Sequence, residues 1–224
     1  MELYNPIEIT RITTDSQVRK DDVVAVEAQY CVKLNDNSIF TFTCTPSHLE
    51  EMVTGMLYSR KLILSAEQIK SMQIDGACIT VTISDAPGQH ACQQKPVHPA
   101  AELLFQTVQT LFSDPSTLFN RTGCAHSCSL MRSGEILCSM EDIGRHNALD
   151  KVIGYALRSG IPLGECIIFT SGRISGDYMA KIIQAGFPAA VSRAAVTSEA
   201  VRLAKAHGVA LYGFVRGNSA NLYT

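Results

Sequence analysis

The sequence predicts an α/β fold in which a sheet of mostly parallel strands is flanked by helices, preceded by a smaller N-terminal α+β part. Three observations predict it. From Arg145 onward the apolar pattern alternates between helical and strand periods. Glycines stand where each of those helices should close. Residues 1–90 read instead as alternating apolar and polar strands around one helix. Helix and strand in strict alternation imply parallel strands joined by right-handed crossovers.

The 224 residues are 46% hydrophobic and 18% charged, a balance that excludes large-scale disorder. A formal net charge of −2 argues against a dedicated nucleic-acid binder, so any anion site has to be local. No apolar run approaches the roughly 18 residues that span a bilayer, and Met1 to Pro6 lacks a positive n-region and an apolar h-region. A cytoplasmic protein without a membrane partner is expected. A chain of this length needs no disulfide framework. Cys31, Cys44, Cys78, Cys138 and Cys166 sit in apolar segments and suit small buried hydrophobes, whereas Cys92, Cys124 and Cys128 stand in polar or glycine-containing surroundings.

In chain order, Val23–Lys33 and Ser38–Cys44 alternate and are joined by Asn35-Asp36-Asn37, a predicted hairpin. Thr45-Pro46-Ser47 opens a helix with Ser47 as the expected N-cap, Glu50 at the capping-box position, and Leu49, Met52, Val53, Met56 and Leu57 as its buried stripe. Ser65–Ile69 suits a short helical turn and Ala77–Ile83 another strand. Asp85–Pro99, with three prolines, a glycine, two histidines and Cys92, has no period and reads as a loop. These features divide the chain into an N-terminal α+β subdomain over 1–88, a linker over 89–99 carrying Cys92, and an α/β domain over 100–224.

Leu103, Leu104, Val108 and Leu111 lie at helical spacing, and Ser113-Asp114-Pro115 ends that helix. Phe119 to Cys128 reads as a polar loop, with a strand from about Ser129, a turn at Arg132-Ser133-Gly134 and a second strand over Glu135–Ser139. Helices follow from Arg145, over Gly176–Ala185 and over Ser198–His207, interleaved with strands Cys166–Thr170, Ala189–Val191 and Val209–Val215. Gly160, Gly186 and Gly208 are placed to supply left-handed C-caps.

Chemistry concentrates in two places. Glu141 to Lys151 packs many ionisable side chains into a helix start. At the helical period, Ala148, Leu149, Val152, Ile153 and Ala156 form an apolar stripe, while His146, Asn147, Asp150 and Lys151 share the other side. In its first turns, free N–H groups favour anions. That polar face is either solvated surface or the wall of a site. The second place is the carboxyl edge of the parallel strands, where ligands bind in such folds. Ser171-Gly172-Arg173, Ser192-Arg193 and Arg216-Gly217-Asn218-Ser219 follow successive strands, so three arginines reach one rim together with glycine and serine. That combination suits phosphate, which takes planar bidentate donors and close backbone approach.

Glu141 to Lys151, Ser171-Gly172-Arg173, Arg121-Thr122-Gly123, the ending from Gly213-Phe214-Val215-Arg216-Gly217 to Tyr223-Thr224, and the helix from Thr45-Pro46 through Glu50-Glu51 to Gly55-Met56-Leu57 resemble the FdhD family of formate dehydrogenase accessory proteins. The resemblance runs in register from about Ala25 to the C-terminus. It implies a cytidine-deaminase-like sheet without zinc, a homodimer, and a sulfurtransferase-type maturation factor. Such a factor takes sulfur as a persulfide from a cysteine desulfurase and passes it to the molybdenum bis(guanine dinucleotide) cofactor of formate dehydrogenase or a related molybdoenzyme. Phe214, Val215, Arg216, Gly217, Asn218 and Ser219 correspond to the family's cofactor-binding stretch. Arg173 and Arg193 on the rim and His146, Asn147 and Asp150 on the helix complete the expected set, for which a guanine nucleotide is a mimic. No protein-ligated metal is expected.

The chain departs from the family pattern twice. The family's Cys-x-x-Cys loop, whose first cysteine holds the persulfide, reads His90-Ala91-Cys92-Gln93-Gln94-Lys95. Cys92 is the expected catalytic residue, with Lys95 where the second cysteine would stand and able to favour its thiolate. The family's Thr-Gly-Gly loop reads Thr122-Gly123-Cys124-Ala125-His126-Ser127-Cys128. Zinc would need a second ligand pair at a usual spacing, and the deaminase His-x-Glu and Pro-Cys-x-x-Cys pattern is absent. A redox or sulfur-relay pair of Cys124 and Cys128 is the alternative to ordinary loop residues. Two functions follow: sulfur transfer through Cys92, or non-catalytic binding and delivery of the molybdenum cofactor or a guanine nucleotide.

Overall fold

The computed structural model describes residues 2–35, 37–84, 95–113 and 117–224, apart from the side chains of Ser38 and Ile39. The chain begins with a ribbon absent from the sequence expectation. Strands β1 (Tyr4–Ile12) and β2 (Gln17–Ala25) pair antiparallel along their full length. Most of their side chains are exposed on both faces, so the apolar alternation that marks a half-buried strand is missing. Val23–Lys33 is therefore not one strand. Its first three residues belong to β2, and β3 (Ala28–Leu34) starts after Val26-Glu27.

Strand β3 forms the expected hairpin with β4 (Asn37–Cys44). Helix α1 (Leu49–Ser59) follows, but Ser47 is not its N-cap: His48 holds that position at φ 52°, with no side-chain cap. A 3-10 turn at Ala66–Gln68 leads into β5 (Ile69–Asp75) and β6 (Cys78–Ile83). The small sheet has the order β4-β3-β6-β5, with β3 and β6 parallel.

After Lys95–Ala100, which is irregular, come α2 (Ala101–Ser113) and the short α3 (Leu118–Thr122). Strand β7 (His126–Arg132) begins three residues earlier than its apolar pattern suggests, and β8 (Glu135–Asp142) runs on to Asp142. The alternating part then follows the sequence closely: α4 (Arg145–Arg158), β9 (Cys166–Thr170), α5 (Gly176–Ala185), β10 (Ala189–Ser192), α6 (Ser198–Ala206), β11 (Ala210–Arg216) and β12 (Ser219–Leu222). The large sheet has the order β12-β11-β10-β9-β7-β8, and β9, β10 and β11 are parallel as their crossovers require. This is the α/β architecture with flanking helices and a smaller N-terminal α+β part.

One buried cluster runs through both parts. It joins Val32 and Ile79 of the small sheet, Met52, Val53 and Leu57 of α1, Leu149, Val152 and Ile153 of α4, and Leu130, Ile168 and Leu211 of the large sheet. On the opposite face of the large sheet, Leu104 and Val108 of α2 cover Met131, Phe169, Val191 and Val215. Where α1 crosses α4 the backbones touch. A Cβ added to Gly55 would lie 1.8 Å from the Asp150 carbonyl oxygen, and one added to Gly154 would lie 1.8 Å from that of Glu51.

This crossing changes the reading of α4. Its polar side is not a solvated face: Asp150 is 1% exposed and Lys151 is fully buried. A helical wheel shows which residues share a side, whereas the cover here comes from α1, contributed by the other half of the chain.

Candidate functional site

The site lies at the carboxyl edge of β9, β10 and β11, where the loops are held by hydrogen bonds within the rim. The Ser171 N–H donates to the Ser127 carbonyl at 3.0 Å, and the Ser127 N–H donates to Ser171 Oγ at 2.9 Å. The Gly172 N–H donates to Thr170 Oγ1 at 3.1 Å, while Ser192 Oγ donates to the Gly172 carbonyl at 2.8 Å. The Arg193 N–H donates to the Thr170 carbonyl at 3.0 Å. Loops fixed in this way hold their side chains in place for a ligand.

Arg193 and Arg216 come together. Arg216 Nε donates to the Arg193 carbonyl at 2.9 Å, and the two guanidinium groups lie over the rings of Phe214 and Phe112 respectively, at 5.8 and 5.1 Å from the centroids. A break in the β11–β12 register between Gly213 and Arg216, with Phe214 at φ 52°, leaves Phe214 and Arg216 exposed and Val215 in the core. Gly217, at φ 51°, makes the turn into Asn218 and Ser219. Backbone of that hand suits glycine and strains Phe214, a cost that recurs at ligand sites.

The two arginines border two adjoining cavities. One, of about 360 Å³, is also lined by Phe119, Asn120, His126 and Ser171. The other, of about 300 Å³, is lined by Phe105, Gln109, Gly217 and Asn218. Phe112 is common to both. Fixed cations, aromatic rings and amide groups around one cleft suit an anionic ligand that carries a flat heterocycle.

The remaining expected residues separate. Arg173 is exposed and lines neither cavity, although its charge reaches His126. His146 places Nε2 3.2 Å from Asp177 Oδ2 and meets the Tyr178 ring edge-on at 5.2 Å. Burial, then Lys181, holds the imidazole below its ordinary pKa of 6.5, against the pull of Asp177. Asn147 Nδ2 donates to the Thr43 carbonyl and to Asp142 Oδ1, each at 2.8 Å. Asp150 accepts from Ser59 Oγ at 2.8 Å and from Lys181 Nζ at 2.5 Å, and burial raises its carboxyl pKa against Lys181. Asn147 and Asp150 thus join the two halves of the chain and border neither cavity.

Three residues that shape the cleft escaped the sequence reading. Glu141, the first residue of the helix-start motif, accepts the N–H groups of Leu118 and Phe119 at 2.7 and 3.1 Å and so fixes α3 against the cavity. Phe112 is the last aromatic of α2, placed only by how that helix lies across the sheet. His126 carried a signal as part of the Cys124–Cys128 cluster, but its role emerges once it is a strand residue. Burial, then Arg145 and Arg173, lowers its pKa from 6.5.

Cys124 and Cys128 do not pair. Cys124 is exposed, whereas Cys128 is fully buried in β7, accepts from the Tyr178 hydroxyl at 3.8 Å, and has its thiol pKa raised by burial. Burial also pushes Cys44 and Cys138 up to about 12 and Cys166 up to about 11, and Cys31, Cys78 and Cys138 are half-buried rather than enclosed. Cys92 lies outside the described residues. Among the described residues, no three His, Cys, Asp or Glu side chains are placed to share a metal ion, and no helix is long and apolar enough to cross a membrane.

Known proteins match this chain over most of its length, and a solved structure shares its fold. The model of the FdhD/NarQ family matches residues 25–98 and 86–224. The sulfur carrier protein FdhD of Shouchella clausii is 30% identical over 97% of this chain and 93% of its own, and that of Bacillus pumilus is 32% identical over 92% and 89%. A crystal structure assigned as a formate dehydrogenase accessory protein from Desulfotalea psychrophila superposes with a TM-score of 0.85 at 31% identity, covering 100% of this chain and 97% of that one. The chain belongs to the FdhD/NarQ family.

Proposed function

We propose that this protein carries sulfur from a cysteine desulfurase to a molybdenum bis(guanine dinucleotide) cofactor, which it binds as substrate at the Arg193–Arg216 cleft and delivers to formate dehydrogenase or a related molybdoenzyme. Arg193 and Arg216 carry this reading. They share a boundary between two cavities, so one cleft offers phosphate-binding cations with aromatic and amide groups on either side. The names of the sulfur carrier relatives and of the formate dehydrogenase accessory structure support it. In the first transfer, the Cys92 thiolate attacks the sulfane sulfur of the desulfurase persulfide, and the desulfurase cysteine leaves as a thiolate. Such chemistry needs free thiols, as in the reducing cytoplasm.

A homodimer belongs to this reading. Ile7, Val18 and Val24 lie on one face of the β1–β2 ribbon and are 44, 56 and 46% exposed. A two-stranded ribbon with exposed apolar side chains among the charged ones of one face is marginal unless something covers it.

Isothermal titration with guanosine diphosphate, as a mimic of the cofactor's ends, tests the cleft. Saturable binding that weakens about tenfold or more in Arg216→Ala is expected, because a charge-assisted hydrogen bond contributes about 1.5–3 kcal/mol. No binding by the intact chain would overturn the assignment. Lys95 in place of a second cysteine favours a second reading, a carrier of cofactor without sulfur chemistry. Under that reading, Cys92→Ala would activate a client molybdoenzyme as well as the unaltered protein does.

A further inference from the structure

Among the described residues, Arg145 Nε is the one buried side-chain nitrogen or oxygen without a hydrogen-bond partner. A buried donor left unmade costs about 1–3 kcal/mol, and such groups call for an explanation. Arg145 is otherwise tied down weakly, with one terminal nitrogen donating to Ser175 Oγ at 3.3 Å.

Other basic groups lie close to it. A Cβ added to Gly172 would lie 3.0 Å from Arg145 Cβ, 3.3 Å from Arg145 Cδ and 3.4 Å from His126 Nδ1, so the arginine and the imidazole converge on the glycine between them. His126 lines the larger cavity and feels the charges of both Arg145 and Arg173. Arg145 also opens α4, whose N-cap is Gly144, with no side-chain cap and no acid in the first turn. The first N–H groups of this 14-residue helix therefore lie beside Arg145 without a side-chain cap. The nearby acids are engaged elsewhere. Asp142 is held by Lys151, and Asp177, which also feels Arg145, accepts from Ser175 Oγ and lies against His146.

We propose that Arg145, His126 and Arg173 form a second oxyanion subsite for a phosphate-class group, beside the cavity that His126 lines together with Arg193 and Arg216. The arginines supply charge, His126 supplies a ring N–H, and Gly172, lacking a Cβ, lets Arg145 and His126 close on each other. A ligand with two separated anionic groups would engage this subsite and the Arg193–Arg216 pair, with His126 bordering the cavity that the pair also lines. This deepens the cofactor reading, on which it rests for the identity of the ligand. The subsite itself stands on the unpaired Arg145 donor and the convergence at Gly172.

The test is an NMR titration of the full chain with inorganic phosphate, following the His126 imidazole and Arg145 Nε–H resonances. Both should move saturably, and Arg145→Gln should weaken the response about tenfold, the loss of one charge-assisted contact. Arg173→Gln, at an exposed side chain, should weaken it in the same direction and serves if Arg145→Gln does not fold. Arg216→Gln should leave the His126 response unchanged. Phosphate that moves neither resonance, or moves them equally in the unaltered protein and in both Arg145→Gln and Arg173→Gln, would overturn the subsite. Guanosine diphosphate without effect anywhere, with phosphate still saturating at His126, would defeat the cofactor reading and leave the subsite standing.

Discussion

Asp142 Oδ2 lies 2.8 Å from Lys151 Nζ, and neither side chain is exposed to solvent. The pair is fully partnered. Asp142 also accepts the N–H groups of Thr45 and Gly144 at 3.1 and 2.9 Å, while Lys151 donates to the carbonyls of Thr45 and Glu141 at 3.2 and 3.0 Å and to Ser47 Oγ at 3.3 Å. A buried ion pair is tolerable only when its remaining donors and acceptors are met in this way. Here the partners come from both parts of the chain, so the motif's acid and lysine fasten the N-terminal segment beside the cleft.

Removing one partner leaves an uncompensated buried charge, which typically costs about 3–5 kcal/mol. Lys151→Met should lower the urea midpoint by a corresponding amount. An unfolding curve superimposable on that of the unaltered protein would show that the pair does not hold the two parts together.

The helix crossing gives a second stability prediction. A methyl group at Gly55 or Gly154 would occupy the position of a backbone carbonyl, so α1 and α4 would have to separate. Gly55→Ala and Gly154→Ala should each cost about 3 kcal/mol or more, the upper end of overpacking. Thermal unfolding measures it, and a fall of a degree or less for either variant would contradict the geometry.

Acid should destabilise the fold through two histidines. His126 and His146 are both held below 6.5, chiefly by burial and then by neighbouring cations. The folded state therefore prefers the neutral rings. Their contribution is fully present above the unfolded pKa and is lost as pH falls through 6.5 toward the folded values. Unfolding free energies between neutral pH and mild acid should fall, and the fall should be shallower in His126→Gln/His146→Gln. The same slope in both proteins would assign the acid sensitivity to other groups.

Alkylation should separate the two cysteines of the Thr122–Cys128 segment. Cys124 is exposed and Cys128 is sealed in β7. Peptide mapping after brief iodoacetamide treatment of the native protein should find Cys124 labelled and Cys128 untouched, with Cys128 reacting after denaturation. Equal labelling in the native state would mean that β7 is not packed as described.

The alternation from Arg145 onward was legible because its helices each bury one stripe, while β9 and β10 are short continuous apolar runs buried on both faces. The β1–β2 ribbon was not, since neither of its faces is enclosed. Ser47 reads as an N-cap because its spacing to Glu50 is right, yet its hydroxyl serves Lys151, a contact set by the tertiary fold. The rim was legible in part. Strand ends located Arg193 and Arg216, and the structure brings them together, but position at a strand end does not decide which way Arg173 turns. His146, Asn147 and Asp150 share a helix side, and only the arrival of α1 and α5 shows that Asp150 is enclosed. Phe112 and Glu141 shape the cleft through the placement of α2 and α3, which no local pattern encodes.

The most direct test of sulfur carriage is intact-protein mass spectrometry after incubation with a cysteine desulfurase and cysteine, followed by peptide mapping. A gain of about 32 Da, one sulfur as a persulfide, is expected on Cys92 and absent from Cys92→Ala. No gain on Cys92, with the same desulfurase loading a control acceptor, would contradict sulfur carriage.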